Sequence, residues 1–230
     1  MIIGIVCAVE REAAPFLPLI EDLKMSEKSM LRFFQGKIKG AEVVLVTCGV
    51  CKVNAAIAAQ ILVDTYKVDV IINAGTAGAM DENLNILDAV IATEVTYHDV
   101  SNDILTKNHP KMDDVFFKTD EKMITAFRIV AGTIKTPGKL VFGRMVTGES
   151  FIDQDGRDTI NERFAPMSVD METAAIAHVC YVNQVPFAAV RCITDTAKQS
   201  GIEVFEDNVA AAADVARDVT VSLLDEFTRR

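Results

Sequence analysis

The chain has 230 residues, half of them hydrophobic, and a formal net charge of −10 from 23 basic and 33 acidic residues. This length and hydrophobic content predict one globular domain, residues 1–230, and exclude a disordered chain. The acidic charge argues against a nucleic acid or an anionic membrane as partner, because both bind basic surfaces. A small ligand held by one or two local basic groups is not excluded.

The first residues, MIIGIVCAVE, carry no basic leader and no small-residue cleavage site, so they predict a buried strand rather than a signal peptide. No run approaches the roughly 18–20 apolar residues of a membrane span, and we expect a cytoplasmic protein without a membrane partner. The odd set of five cysteines is a poor disulfide framework. Cys48 and Cys51 form a C-x-x-C pair, but no second pair or nearby histidine completes four ligands. We expect no metal and no cofactor.

Short runs rich in Val and Ile alternate with longer helical patterns along the chain, without an internal repeat or a linker. The predicted elements, in chain order, are strand 2–9, helix 10–23, strands 29–38 and 41–48, helix 52–66, strands 69–74 and 88–97, helix 120–132, strand 139–147, helix 153–164, strand 168–171, helix 172–183, strand 187–194 and helix 206–228. The polar, irregular segment 99–118, which includes Pro110, is long for a compact domain and is typical of a functional loop or an interface.

Nearly continuous apolar strands indicate a sheet that is covered on both faces. The alternation of strands with helices predicts the α/β class, with a central mixed, largely parallel sheet flanked by helices. In an open α/β sheet, ligands bind beyond the carboxyl ends of the strands. The residues that follow the predicted strands are therefore the first candidates for a functional site.

Acidic residues, a Gly-rich segment and an arginine converge on that edge of the predicted sheet. The candidates are Glu12, Gly75-Thr76-Ala77-Gly78, Glu172, Arg191 and Asp195. Each has a structural alternative: a solvated first-turn acid for Glu12 and Glu172, a tight turn for 75–78, and a helix cap for Asp195. Arg191 interrupts the apolar run FAAVRCIT, and a buried guanidinium needs a carboxylate partner.

Several motifs, in order and nearly end to end, carry a family resemblance. They are IGIVCAVEREA at 3–13, CGVCKVNAA at 48–56, DVIINAGTAGA at 69–79, TYHDV at 96–100, TGESFI at 147–152, SVDMETAAIAHVC at 168–180 and AVRCITDTA at 189–197. The chain resembles the bacterial 5′-methylthioadenosine/S-adenosylhomocysteine nucleosidases of the purine nucleoside phosphorylase superfamily. The resemblance implies a nucleoside-phosphorylase-like fold and hydrolysis of the bond between adenine and ribose.

The resemblance also implies catalytic roles. Asp195 matches the general acid that protonates the adenine at N7, and burial would raise its pKa in the required direction. Glu12 matches the general base that polarises the attacking water. Arg191 would hold the acidic cluster and the water in place.

Further residues match the family's substrate contacts. Phe151 would lie on the adenine face, the Ile152 backbone would read N1 and the 6-amino group, and Thr76, where the family usually has Ser, would bind the water. Met171 and Glu172 would grip the ribose hydroxyls. The full set is Val9, Val50, Thr76, Phe151, Ile152, Met171, Glu172 and Phe205. For Phe151 and Phe205, ordinary core packing is the alternative.

The resemblance further implies a C2 homodimer in which the 99–118 loop lies near the partner's site. Leu105 and Pro110 stand in that loop where the family usually carries an aromatic residue, and Val9 stands where it often has Met. These differences affect the fit of the 5′-substituent and leave the cleavage chemistry untouched.

Three other functions stay open at this point. A phosphorylase of the same superfamily would carry Gly-Asp-Pro-x-Arg after the first strand, whereas this chain has AVERE at 8–12, whose carboxylates would repel phosphate. A hydrolase of a related nucleoside such as futalosine is a second alternative. A non-catalytic nucleoside-binding protein is a third, although it would have no use for an acid and a base placed together.

Overall fold

The computed structural model describes residues 1–153 and 156–228. Its strands are β1 (Ile2–Cys7), β2 (Glu21–Lys28), β3 (Leu31–Ile38), β4 (Ala41–Thr47), β5 (Val70–Ala79), β6 (Ala89–Tyr97), β7 (Phe117–Lys118), β8 (Leu140–Thr147), β9 (Ser168–Asp170) and β10 (Phe187–Asp195). Its helices are α1 (Glu10–Ala13), α2 (Lys52–Asp64), α3 (Asn102–Lys107), α4 (Glu121–Ala131), α5 (Arg157–Phe164), α6 (Thr173–Asn183) and α7 (Ile202–Thr228).

All strands belong to one mixed sheet with the order β10-β6-β8-β9-β5-β1-β4-β3-β2, and β7 pairs with β6. β1 lies parallel to β4 and β5, and β5 lies parallel to β10, so the carboxyl ends of these strands meet at one edge. The additional pairing of β10 with β5 closes five strands into a ring. The mixed sheet expected from the sequence is confirmed.

Two apolar clusters cover the two faces of the sheet. α2 and α6 pack on one face, where Leu62 and Ile176 are fully buried. α4 and α7 pack on the other face, where Phe127 and Leu223 are fully buried. The single-domain α/β fold with helices on both faces is therefore confirmed.

The predicted helix 10–23 is wrong beyond its first turn. α1 ends at Ala13, Pro18 lies in a short 3-10 turn over Leu17–Leu19, and β2 begins at Glu21. Proline lacks the N–H that a helix interior requires. β2 is an almost entirely exposed edge strand, and with Leu23 and Met25 as its only apolar residues its sequence is too polar to indicate a strand.

The segment 75–78 is part of a strand and not a tight turn. β5 continues through it to Ala79, five residues beyond the predicted end at 74, and the strand is buried almost throughout. The segment 99–118 is less irregular than expected, because it contains α3 and β7. The predicted helix 153–164 begins at Arg157, and its positions 154 and 155 lie outside the described residues.

Candidate active site

A cavity of about 330 Å³ lies where β1, β5, β9 and β10 end. The structure brings together on its wall every residue that the sequence singled out for catalysis or binding. These are Val9, Glu12, Val50, Thr76, Phe151, Ile152, Met171, Glu172, Arg191, Asp195 and Phe205. Several of these positions are more than 100 residues apart in the chain, so it is the pairing of the strands in the sheet that makes them neighbours.

Glu12 is 2% exposed, which excludes the solvated first-turn acid. Its Oε2 accepts hydrogen bonds from the backbone N–H groups of Ala8, at 2.7 Å, and Val9, at 3.3 Å. Its Oε1 accepts from the N–H and the hydroxyl of Thr76, both at 2.7 Å. Four donors thus face one carboxyl group, which is an environment suited to a carboxylate.

Arg191 is 2% exposed and is surrounded by acidic groups. Its Nη2 donates to Glu172 Oε2 at 3.0 Å, and its Nε lies 3.2 Å from Asp170 Oδ2. Burial opposes the charge of the guanidinium, but Asp170, Glu12 and Glu172 keep its pKa above the ordinary value. The expectation that this buried guanidinium has carboxylate partners is confirmed.

Glycine at position 75 permits the close approach of Glu12 and Arg191. A Cβ atom at Gly75 would lie 2.6 Å from Glu12 Oε1 and 2.7 Å from Arg191 Nη1. Gly78, three residues further along β5, has the same relation to the acid on β10, because its Cβ would lie 3.0 Å from Asp195 Oδ2. The two glycines are about 10 Å apart along the strand. The two carboxyl groups therefore lie at separate points of one cavity wall.

Glu172 precedes the first turn of α6 and is 3% exposed. Its Oε1 accepts the backbone N–H of Cys51 at 2.9 Å. Burial raises the pKa of Glu172 to about 7, against the opposing charge of Arg191. Cys51 has a φ of 81°, a conformation that is strained for a residue with a side chain. The C-x-x-C pair thus contributes a backbone donor to the site, a role that the sequence did not indicate.

Asp195 is the last residue of β10 and is 1% exposed. Its Oδ1 accepts the Thr194 hydroxyl at 2.9 Å, whereas its Oδ2 has no hydrogen-bond donor among the described residues. Burial raises the pKa of Asp195, although the hydrogen bond from Thr194 and the charge of Arg157 oppose the shift. A carboxyl group of this kind holds its proton to a higher pH than an exposed aspartate.

Arg157 is a neighbour of Asp195 that the sequence analysis missed. It is 5% exposed, and its Nη2 lies 3.8 Å from Asp195 Oδ2. It stands in the polar run GRDTINER, where no apolar pattern signals that one arginine is buried. Arg191 was found because an apolar strand surrounds it in sequence, and Arg157 has no such signal.

The mouth of the cavity is apolar. Phe151 and Val50 are 40% and 41% exposed, so Phe151 is not an ordinary core residue. Phe205, on α7, is half-buried. Arg11 and Glu206 form a bidentate pair at the rim, with Nη2 and Oε1 2.7 Å apart.

The described residues contain no group of three or more histidine, cysteine, aspartate or glutamate side chains placed to hold a metal ion. No helix in residues 1–153 or 156–228 is long and apolar enough to cross a membrane. All five cysteines are free thiols.

Residues 2–225 match the model of the Phosphorylase superfamily. A 5′-methylthioadenosine/S-adenosylhomocysteine nucleosidase of Staphylococcus carnosus is 35% identical, over 96% of this chain and 98% of the relative. A nucleosidase of the same name from Colwellia psychrerythraea, solved in complex with adenine, has a TM-score of 0.90 and 30% identity, and the match covers 98% of this chain and 95% of that one. The futalosine hydrolase of Helicobacter pylori, with a TM-score of 0.88 over 98% of both chains, is 24% identical and shows the fold alone.

Proposed function

The chain belongs to the 5′-methylthioadenosine/S-adenosylhomocysteine nucleosidases of the phosphorylase superfamily, and we propose that it hydrolyses the N-glycosidic bond of both nucleosides to adenine and the thioribose. One observation carries the proposal. A carboxyl group that receives four donors, Glu12, and a buried carboxyl group with a free oxygen, Asp195, share the wall of one nucleoside-sized cavity. This asymmetry suits one group for accepting a proton and the other for donating one.

Asp195 is the general acid in this proposal. Neutral adenine is a poor leaving group at N9, and protonation at N7 makes it a better one. Burial raises the pKa of Asp195, which supports a protonated side chain in the resting enzyme. General acid assistance of this kind accelerates a reaction by about 10²–10⁴-fold.

Glu12 is the general base in this proposal. The Thr76 hydroxyl donates to Glu12 Oε1 in the free protein, and hydroxyl groups rotate readily. When the hydroxyl turns toward the attacking water, one of the two acceptor positions of Oε1 becomes free for the proton that the water releases, while the Thr76 N–H keeps the other. Arg191, held by Asp170 and Glu172, keeps the acidic cluster in position.

The remaining wall residues would bind the substrate. We assign Glu172 and Met171 to the ribose hydroxyls, and the exposed face of Phe151 to the adenine ring. Stacking of a base on an aromatic ring is worth roughly 1–3 kcal/mol. The backbone of Ile152 would bind the adenine edge. The apolar side chains of Val9, Val50 and Phe205 would surround the 5′-thioether.

Phosphorolysis is disfavoured by the charges on the wall. A phosphate dianion needs cationic partners, but Arg11 is paired with Glu206, and Arg191 is paired with Asp170 and Glu172. On the part of the wall that the structure describes, these are the basic residues. Glu12 would in addition repel the anion.

A homodimer with the 99–118 segment near the partner's site is part of the proposal. Exposed apolar side chains occur on α2, with Val53 68% and Ile57 44% exposed, and in the 99–118 segment, with Ile104 47% exposed. Such surfaces are typical of protein interfaces. Light scattering at micromolar concentration tests this, and a strict monomer contradicts it. The five free thiols favour a reducing, cytoplasmic location.

The test of function is a substrate panel measured by adenine or hypoxanthine release, each with and without phosphate. The panel contains methylthioadenosine, S-adenosylhomocysteine, 5′-deoxyadenosine, adenosine and inosine. We expect release from the first two without phosphate. A requirement for phosphate would instead assign the chain to the phosphorylases.

A further inference from the structure

Arg157 and Asp195 face each other across a short gap inside the protein. Arg157 Nη2 and Asp195 Oδ2 are 3.8 Å apart, which is an ion-pair distance but too long for a hydrogen bond. Both atoms are buried, and neither has a hydrogen-bond partner among the described residues. Unsatisfied buried groups of opposite charge are costly to maintain, and such costs are found chiefly where function requires them.

The guanidinium is held in place by neutral groups. Arg157 Nε donates to the backbone oxygen of Asp153 at 2.7 Å, and Nη1 donates to the backbone oxygen of Ala79 at the end of β5. These bonds fix the orientation of the planar group without neutralising its charge. Asp195 is therefore the nearest buried carboxyl group toward which this charge is directed.

Resting on the function proposed above, we propose that Arg157 is a positioning residue that stabilises the Asp195 carboxylate formed as the proton passes to the purine. Arg157 does not line the cavity and does not touch the substrate in this proposal. Its charge acts only through Asp195, and most strongly at the moment when that side chain becomes negative.

The Asp195 O–H bond breaks, its proton forms the N7–H bond of adenine, and the electron pair of the C1′–N9 bond leaves with the base. Water adds to C1′ and gives its proton to Glu12. Adenine leaves, Asp195 regains a proton from solvent, and Glu12 loses one to solvent. From the proton transfer to N7 until its reprotonation, Asp195 is an anion in a buried wall, and Arg157 Nη2 lies 3.8 Å from its Oδ2.

The groups that act on Asp195 are few. Thr194 donates a hydrogen bond to it, the Arg157 cation attracts its charged form, and the Asp153 carboxylate repels it. Arg157 thus lowers the pKa of Asp195 against the larger effect of burial, and Asp153 raises it. Because Arg157 and Asp153 change the pKa of Asp195 in opposite directions, variants of the two residues should shift it in opposite directions.

The experiment measures the pH dependence of kcat/KM for methylthioadenosine in wild type, Arg157→Gln, Arg157→Lys and Asp153→Asn. The rate requires protonated Asp195, so its decline at high pH reports the Asp195 pKa. We expect Arg157→Gln to move this decline up by one pH unit or more, in line with the roughly 1–3 unit effect of a charge at this distance, and to lower kcat tenfold or more. In Arg157→Lys, which keeps the positive charge, the decline should stay close to the wild-type pH. In Asp153→Asn the decline should move to a slightly lower pH.

A purely structural role gives a different result. Loss of folded protein lowers the rate equally at every pH, so a reduced rate with an unmoved decline in Arg157→Gln overturns the proposal. If Arg157→Gln does not fold, Arg157→Lys and Arg157→Met are compared instead, because lysine keeps the positive charge and methionine removes it. A decline at higher pH in Arg157→Met than in Arg157→Lys supports the proposal, and the same decline in both overturns it.

Failure of the proposed function can be distinguished from failure of the proposal for Arg157. If the wild type releases no adenine, that function is wrong. Carbon-13 NMR titration of Asp195 in the free protein then still tests the coupling. An Asp195 pKa that rises in Arg157→Gln supports it, and an unchanged pKa overturns it.

Discussion

Gly75→Ala is the sharpest structural test of the site, because a single methyl group would enter the contact between Glu12 and Arg191. The added Cβ would lie 2.6 Å from Glu12 Oε1, 2.7 Å from Glu12 Cδ and 2.7 Å from Arg191 Nη1. An ordinary contact needs at least 3.4 Å, so the carboxylate must move by about 0.8 Å or the strand must shift. The backbone at Gly75 is not in the left-handed region, so the effect is steric and not conformational.

The expected magnitude follows from these distances. Overpacking a buried site by one methyl group costs about 1–3 kcal/mol of stability. A displacement close to 1 Å of a group that positions the nucleophile lowers the rate by about 10²-fold. We therefore expect Gly75→Ala to fold with reduced stability and to lose at least about 10²-fold in kcat/KM.

Gly4→Ala is the matched control. Gly4 lies on the adjacent strand β1, and its added Cβ would meet the flexible Leu62 side chain at 3.0 Å, away from the carboxylates. The assay combines urea unfolding with adenine release for both variants. A Gly75→Ala protein with wild-type kcat/KM, or a Gly4→Ala protein with the same loss of activity at equal stability, would refute the reasoning.

Three further predictions concern the carboxyl groups. Asp195→Asn should abolish turnover, measured by adenine release, because the amide keeps the shape of the side chain but cannot donate the same proton. Calorimetry should still detect adenine binding to this variant. Full turnover would remove Asp195 from the mechanism. Glu12→Gln should lower kcat by about 10²-fold or more with little change in KM, and a raised KM at unchanged kcat would contradict a role confined to the chemical step. Burial raises the pKa of Glu172 from 4.5 to about 7, so the folded protein favours the protonated side chain. The contribution of this protonation to the free energy of unfolding is fully present below pH 4.5 and is lost as the pH rises through 7. The stability of the wild type relative to Glu172→Gln should therefore fall between pH 4.5 and pH 8, on the order of 1–3 kcal/mol by urea unfolding, and a rise would contradict this assignment.

The hydrophobic pattern was sufficient for most of the fold. Apolar runs such as 41–48 and 187–194 are strands because their alternation or continuity leaves only a sheet to bury them. The same reasoning isolated Arg191, since a guanidinium within a buried strand requires acidic partners. It failed for β2, whose polar residues pair through backbone hydrogen bonds that leave no side-chain pattern.

The sequence by itself determined the class of the fold, its family and the identity of the carboxyl groups at the strand ends. These depend on local composition and on the order of motifs, both of which one chain displays directly. The tertiary structure alone decided that Glu12 receives four donors, that Asp195 keeps a free oxygen, and that Arg157 and the backbone of Cys51 belong to the same neighbourhood. Charge, burial and proton affinity depend on which groups meet in space, and residues far apart in the chain meet only when the sheet aligns the ends of its strands.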